Sequence, residues 1–235
     1  MKKLNSSLRP LLIAITLLLA SGVALGQSRE KIEVSNFDGL RVSNAFVVEI
    51  SVGNKESLDI EIDERYREDL IAEVRNGTLI IGLENSRSNR RMRESPRAYL
   101  TVKSLREVNI SGAVSLRTLD VLKGDKLEID MSGASVVRME VEVEDLYIEA
   151  SGACVMNFEG TADNQYIKSS GASTYSAYDL ETKTADIRVN GAGSAKVSVS
   201  DELDVRASGA SSVKYRGSPR VNSDTSGASS VRRGR

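Results

Sequence analysis

Apolar and polar residues alternate on the approach to a recurring glycine in the second half of the chain. Before Gly152, Ile148 and Ala150 flank the charged Glu149. The same order, with a Val or Ile four positions before the glycine, recurs at all but the last of seven glycines. Alternation of this kind predicts a half-buried β-strand leading into each of them. The glycines are Gly112, Gly133, Gly152, Gly171, Gly191, Gly209 and Gly227.

A second strand is predicted after each glycine. In the most regular copy, Val137, Met139 and Val141 alternate with Arg138 and Glu140. Polar residues that favour turns, such as Glu144-Asp145, then end the segment before the next copy begins. Each repeat of 18 to 21 residues is therefore a strand, a small-residue turn, a second strand and a polar turn.

One such repeat cannot bury its own apolar face, so successive repeats are expected to stack. The sequence predicts an all-β fold, a single-chain right-handed parallel β-helix (β-solenoid) with about seven regular coils. A propeller blade is disfavoured because blades repeat at about 40 residues. The left-handed hexapeptide helix is disfavoured because no six-residue period is present.

The turn motif is Ser-Gly-Ala in six copies and Asn190-Gly191-Ala192 in the seventh. Glycine adopts positive φ without strain and has no Cβ, so it suits a narrow corner shared with neighbouring coils. Serine or asparagine beside it is expected to hydrogen-bond nearby backbone or the next coil. Catalytic serines would require an activating base that recurs with them, and none does. The seven glycines are therefore predicted to be structural turn residues.

Residues 27–235 are predicted to form a single β-solenoid domain, with irregular opening coils over 27–104 and regular repeats over 105–235. Within the first part, Ile71 to Val74 and Thr78 to Leu83 flank Asn76-Gly77, which predicts a hairpin. Residues 84–96 are a polar loop whose arginines could bind an anion or simply be solvated. These are Arg87, Arg90, Arg91 and Arg93.

Residues 1–26 have the pattern of a signal peptide. Lys2, Lys3 and Arg9 precede an apolar run from Leu11 to Ala20, which is too short to span a bilayer. Ala24-Leu25-Gly26 resembles a cleavage site. The protein is therefore expected to be exported to the periplasm, the outer-membrane surface or the medium, with no transmembrane segment in the mature chain.

Composition excludes several classes of function. The chain has no histidine, which removes histidine-based triads, metal sites and acid–base catalysis. The single cysteine, Cys154, allows no internal disulfide, and a small buried role is expected for it. A net charge of -1 gives no basic excess for nucleic acid. We expect no cofactor and no enzymatic activity.

One outward-facing row, five residues after the glycines, is largely basic. An acidic polysaccharide or a lipid headgroup could lie along it, although surface cations that only maintain solubility are the commoner case. Asn157 and Ser176 interrupt the row. The candidate binding residues are Arg117, Arg138, Lys196, Lys214 and Arg232.

The exported start, the "EVRNGTLII" stretch and the Ser-Gly-Ala repeats together resemble a bacterial family with a head GIN domain, known as "putative autotransporter adhesins". The resemblance implies a β-helix like that of pectate lyases without their catalytic residues, and an adhesive role. Glycans or envelope components are the partners it suggests. No membrane-translocating barrel is recognisable in this chain.

Two other functions remain open at this point. A polysaccharide lyase or hydrolase would need paired carboxylates, and Asp130 with Glu149, or Asp186 with Asp204, are expected to stack in adjacent coils. A structural or regulatory part of an envelope complex is the second alternative. The terminal strands could also pair with another chain, so the oligomeric state is open.

Overall fold

The structure is a computed structural model that describes residues 28–84 and 94–234. Parallel pairing dominates its second half, where each long strand runs through a whole repeat. The residues that alternate in the sequence form these strands because one side of each segment is apolar. The strands are β10 Leu122–Gly133, β11 Val136–Gly152, β12 Val155–Gly171, β13 Thr174–Gly191, β14 Ser194–Gly209, β15 Ser212–Arg216, β16 Arg220–Thr225 and β17 Ser230–Arg233.

The register of these strands places each repeat directly on the previous one. Gly133 pairs with Gly152, Gly152 with Gly171, and Gly171 with Gly191. The result is a β-solenoid of about seven turns, and the predicted fold is confirmed. The glycines form a single line along the solenoid, which we call the corner column.

Each coil has one strand segment after its corner glycine and one before the next, and the inward side chains of both segments form the core. Val137, Met139 and Val141 point inward after one corner glycine, and Leu146 and Ile148 point inward before the next. One hydrophobic core extends from Val34 to Val213. We call the outer surface of the strand segments that follow the corner glycines face A, and that of the segments that precede them face B.

The polar turns interrupt the strands less than the sequence suggests. Between β11 and β12 the ladder runs from Val143 paired with Ala162 directly to Asp145 paired with Asn164, so only one residue of each strand is skipped. A hydrogen-bonded row holds this second corner: Asn164 Nδ2 donates to Asp145 Oδ1 at 2.9 Å, and Thr184 Oγ1 donates to Asn164 Oδ1 at 2.7 Å.

The first third is stacked out of chain order. Its strands are β1 Ser28–Ile32, β2 Gly39–Val42, β3 Val47–Val52, β4 Ser57–Ile62, β5 Leu70–Arg75, β6 Thr78–Leu83, β7 Arg97–Val102, β8 Glu107–Gly112 and β9 Ser115–Thr118. The coil made by β2 and β3 lies between the coil made by β8 and β9, on one side, and strands β6 and β7, on the other. Strands β1, β4 and β5, which pair antiparallel, close this end of the solenoid.

The predicted hairpin is present as the antiparallel pair β5–β6, and a 3-10 helix, Glu64–Asp69, precedes it. Most of the predicted polar loop, including Arg87, Arg90, Arg91 and Arg93, lies outside the described residues, as does the predicted signal peptide.

An eighth corner, which the sequence did not reveal, lies in the first third. Ser43-Asn44-Ala45 occupies the place of a Ser-Gly-Ala turn, and Asn44 has a φ of 71°. Ala113 donates its amide to the Asn44 carbonyl at 2.7 Å, as later alanines do to glycines. Asparagine tolerates this conformation better than other residues with a Cβ, so it can begin the corner column.

Candidate binding faces of the solenoid

Backbone hydrogen bonds fasten every corner to the one before it. Ala172 N donates to Gly152 O at 2.8 Å, and the same bond recurs along the column. A Cβ on Gly171 would lie 2.5 Å from Gly152 O, and its φ of 87° belongs to the left-handed region. Glycine is therefore required by both space and backbone geometry. The space and the φ at the corner column fit a structural role for its glycines.

A second serine, outside the Ser-Gly-Ala motif, also bonds the corner to the preceding coil. Ser135 and Ser173, two residues after their glycines, are buried and donate to the carbonyls of Gly112 and Gly152 at 3.2 and 3.3 Å. Cys154 fills the equivalent position and is fully buried, as expected for a small filler. Within the motif, Ser132, Ser151 and Ser170 donate to backbone carbonyls of the preceding coil at 3.4 to 3.5 Å, and Ser208 Oγ donates to Asn190 Oδ1 at 3.1 Å.

The basic row of face A is continuous in register. Arg117 pairs with Arg138, and the row then passes through Asn157 and Ser176. Lys196, Lys214 and Arg232 complete it on three adjacent parallel strands. We call Arg117, Arg138, Lys196, Lys214 and Arg232 the cation ladder. All five side chains are exposed.

The two ends of the cation ladder differ in charge compensation. Arg117 Nη2 lies 2.6 Å from Glu49 Oε1 on the neighbouring strand β3. Among residues 28–84 and 94–234, none of Lys196, Lys214 and Arg232 has an ion-pair partner. Hydroxyls of a parallel serine row, Ser194, Ser212 and Ser230, lie on the same face. The C-terminal end of the ladder is therefore a strip of uncompensated cations beside hydroxyl groups.

Cations on face B are mostly compensated. Lys168 Nζ lies 3.0 Å from Glu149 Oε2, and Arg188 Nη2 lies 2.8 Å from Asp186 Oδ2. Arg206, one coil further, has no ion-pair partner in the described part of the chain. Charge pairing is thus found on face B, between strands for Lys168 and within strand β13 for Arg188, whereas three cations in a row on face A have no ion-pair partner among the described residues.

Carboxylates gather at the other end of face B. Asp130 pairs in register with Glu149, as predicted. Burial raises the pKa of Asp130, and the charges of Glu149, Glu107 and Glu128 raise it further. Asp186 and Asp204 are also in register, but Asp186 is bound by Arg188. Both carboxylate pairs therefore stack in adjacent coils, as predicted.

No cluster of three or more His, Cys, Asp or Glu side chains suited to a metal ion occurs among the residues that the structure describes. Within those same residues, no helix has the length and hydrophobicity to cross a bilayer.

Several solved structures share this fold at low sequence identity. A "putative adhesin" from Bacteroides fragilis NCTC 9343 superposes with a TM-score of 0.80 at 18% identity, covering 88% of this chain and 96% of the other. A "putative lipid binding protein" from Parabacteroides distasonis ATCC 8503 gives 0.74 at 20% identity, covering 89% and 97%. A third, a "putative adhesin" from Parabacteroides merdae ATCC 43184, gives 0.67 at 18% identity, covering 89% and 97%.

No curated protein sequence matches this chain. A family-level sequence profile does match, over residues 36–219, which is most of the chain. It covers β2 through the turn after β15 and includes six of the seven predicted corner glycines. The chain belongs to the family described as "Putative auto-transporter adhesin, head GIN domain".

Proposed function

We propose that this chain is a non-catalytic, exported protein of the cell envelope or cell surface that binds an anionic ligand through face A. The observation that carries the proposal is the row of three uncompensated cations, Lys196, Lys214 and Arg232, on adjacent strands. The family description as an adhesin supports a binding role in general. The basic and apolar pattern of residues 1–26 supports export.

Electrostatics explains why such a row favours an anion. Strands lie about 4.8 Å apart, so like charges directly opposite one another on neighbouring strands repel. At that spacing each repulsion is about 1 kcal/mol in water before screening by salt. A ligand with regularly spaced negative charges along the solenoid axis would relieve this repulsion. An acidic polysaccharide, with one carboxylate on each sugar, has this chemistry.

The lipid-binding description of the Parabacteroides distasonis relative suggests an anionic headgroup as the other source of negative charge. The two sources share the same recognition chemistry on the ladder. Binding to soluble polygalacturonate but not to vesicles containing phosphatidylglycerol would indicate the polysaccharide. The reverse result would indicate the lipid surface.

Neutralising the free end of the ladder should weaken this binding. We expect the double variant Lys196→Gln/Lys214→Gln to bind polygalacturonate about tenfold more weakly or worse, because two charge-assisted contacts are lost. The measurement is isothermal titration at low salt. The matched control is Lys183→Gln/Arg220→Gln, which removes the same charge from cations already paired with Asp163 and Glu202. Equal affinities for the two double variants would refute the site.

The carboxylates around Asp130 are the part of the surface that a polysaccharide-cleaving enzyme would use. The same purified protein should therefore be assayed for reducing ends and unsaturated products released from polyuronates. We expect none. If the natural chain releases product and Asp130→Asn does not, the protein is an enzyme, and the non-catalytic proposal is wrong.

A further inference from the structure

Two tyrosines form a stacked pair on face B, one coil apart. The rings of Tyr147 and Tyr166 have centroids 4.5 Å apart and an interplanar angle of 9°. They are in register on β11 and β12, as the sequence spacing indicates. Such offset or stacked rings stabilise each other modestly. The stacked pair alone would be a structural feature, and the residues around it are what indicate a ligand site.

Among the described residues, the Tyr147 ring contacts both a second ring and a cation, whereas the Tyr166 ring contacts only the Tyr147 ring. Two faces lie against each other. Lys126, from the preceding coil, places Nζ 4.7 Å from the centroid of Tyr147 and covers its outer face. The far face of Tyr166 is turned toward the next coil, and Tyr166 is 38% exposed. It is an open aromatic surface at the end of a stack.

The next coil leaves room beside this open ring. Asp186 pairs in register with Tyr166. Its side chain is smaller than that of tyrosine, so a space about the size of an aromatic ring is left beside Tyr166. Arg188 holds the Asp186 carboxylate through Nε at 3.2 Å and Nη2 at 2.8 Å. These contacts direct the carboxylate along the strand toward Arg188. A shallow recess results, whose lining includes Tyr166, Lys168, Asp186 and Arg188 and, from β10, the carboxylates of Glu128 and Asp130.

Polar groups border the recess in pairs. The ion pair of Asp186 with Arg188 lies on one side, and that of Glu149 with Lys168 on the other. Each pair offers both hydrogen-bond acceptors and donors. The hydroxyls of Tyr147 and Tyr166 have no protein hydrogen-bond partner within residues 28–84 and 94–234. The recess thus combines one flat apolar surface with donors and acceptors around its edge.

We propose that this recess binds a neutral hexopyranose unit of a glycan. The ring of such a sugar has an apolar C–H face that fits an aromatic surface, and hydroxyls around its edge that both donate and accept hydrogen bonds. Each of the two ion pairs has no net charge, and the further carboxylates of Glu128 and Asp130 in the lining disfavour an anionic sugar, so a neutral polyol fits the recess. A small site with one stacking contact is expected to bind a single sugar weakly, in the millimolar range. This site is separate from the cation ladder, which is on face A.

The test is saturation-transfer difference NMR with methyl β-D-glucopyranoside, methyl β-D-galactopyranoside and methyl α-D-mannopyranoside. We expect at least one to receive saturation on its ring C–H protons, and Tyr166→Ala to weaken binding by roughly tenfold or more because the stacking surface is lost. Tyr166→Phe should retain most of the affinity. Asp186→Asn should reduce it severalfold, because the carboxylate is a stronger acceptor than the amide.

Tyr178→Ala is the matched control, because Tyr178 lies outside the recess. Its ring is stacked under a different cation, with Arg216 Cζ 4.1 Å from the Tyr178 ring centroid. Thermal unfolding of each variant checks that the fold is retained. No saturation transfer to any of the three glycosides would overturn the proposal, and so would equal binding by Tyr166→Ala and Tyr178→Ala. Lys196→Gln/Lys214→Gln should leave glycoside binding unchanged, which separates this site from the ladder.

Discussion

Replacing Gly171 with alanine should lower the free energy of unfolding by roughly 3 kcal/mol or more. The new Cβ would lie 2.5 Å from the Gly152 carbonyl oxygen and 3.1 Å from its nitrogen, both backbone atoms. Backbone cannot move aside without breaking the bond from Ala172 N to Gly152 O. The φ of 87° adds strain because alanine disfavours the left-handed region.

Denaturant unfolding followed by circular dichroism measures this effect. Gly124→Ala is the matched control, because nothing lies within 4 Å of a Cβ at that strand position. We expect Gly124→Ala to be close to neutral, since alanine also reduces the entropy of the unfolded chain. If both variants unfold at the same denaturant concentration, the close packing of the corner column does not exclude a Cβ at position 171.

Gln165→Leu should destabilise the fold by about 1–3 kcal/mol, through a buried polar network inside the solenoid. Tyr175 donates its hydroxyl to Gln165 Oε1 at 3.0 Å, and Gln165 Nε2 donates to Thr182 Oγ1 at 2.8 Å. Thr182 Oγ1 in turn donates to the Ser198 carbonyl at 2.8 Å. Gln165 and Tyr175 are fully buried, so a hydroxyl left without its acceptor is not rescued by water.

A double-mutant cycle tests this network. Tyr175→Phe should also be destabilising, because it leaves Gln165 Oε1 buried without a donor. The double variant Gln165→Leu/Tyr175→Phe removes both partners and should cost less than the sum of the single variants. Chemical denaturation of the four proteins gives the coupling energy. Additive losses would show that the two side chains act independently.

The regular coils were predictable because each carries the same constraints. A corner with no room for a Cβ requires glycine, and a strand buried on one face requires alternating apolar and polar residues. The repeated glycines therefore predict the register in which Gly133, Gly152 and Gly171 stack. The cation ladder was predictable for the same reason. Residues at equal distance from a corner glycine stack in one row wherever the coils remain in register.

The irregular first third was harder to predict because its neighbours are distant in sequence. Strand β2 pairs with β6 and β8, and nothing local specifies this order. The Asn44 corner was missed because asparagine replaces the glycine that marks the other corners. The sequence also did not show which cations of the ladder have an ion-pair partner. The bond from Arg117 to Glu49 links residues 68 positions apart, so the free end of the ladder is known only from the structure.

Salt dependence of polygalacturonate binding tests the cation ladder most directly. Each cation that contacts the polyanion releases counterions, so the logarithm of the binding constant falls linearly with the logarithm of the salt concentration. We predict a steep negative slope for the natural chain and a slope smaller in magnitude by about one for Lys214→Gln. Lys183→Gln should retain the original slope, because Lys183 is already paired with Asp163. A slope near zero, or one that Lys214→Gln leaves unchanged, would contradict binding of an anionic ligand by face A.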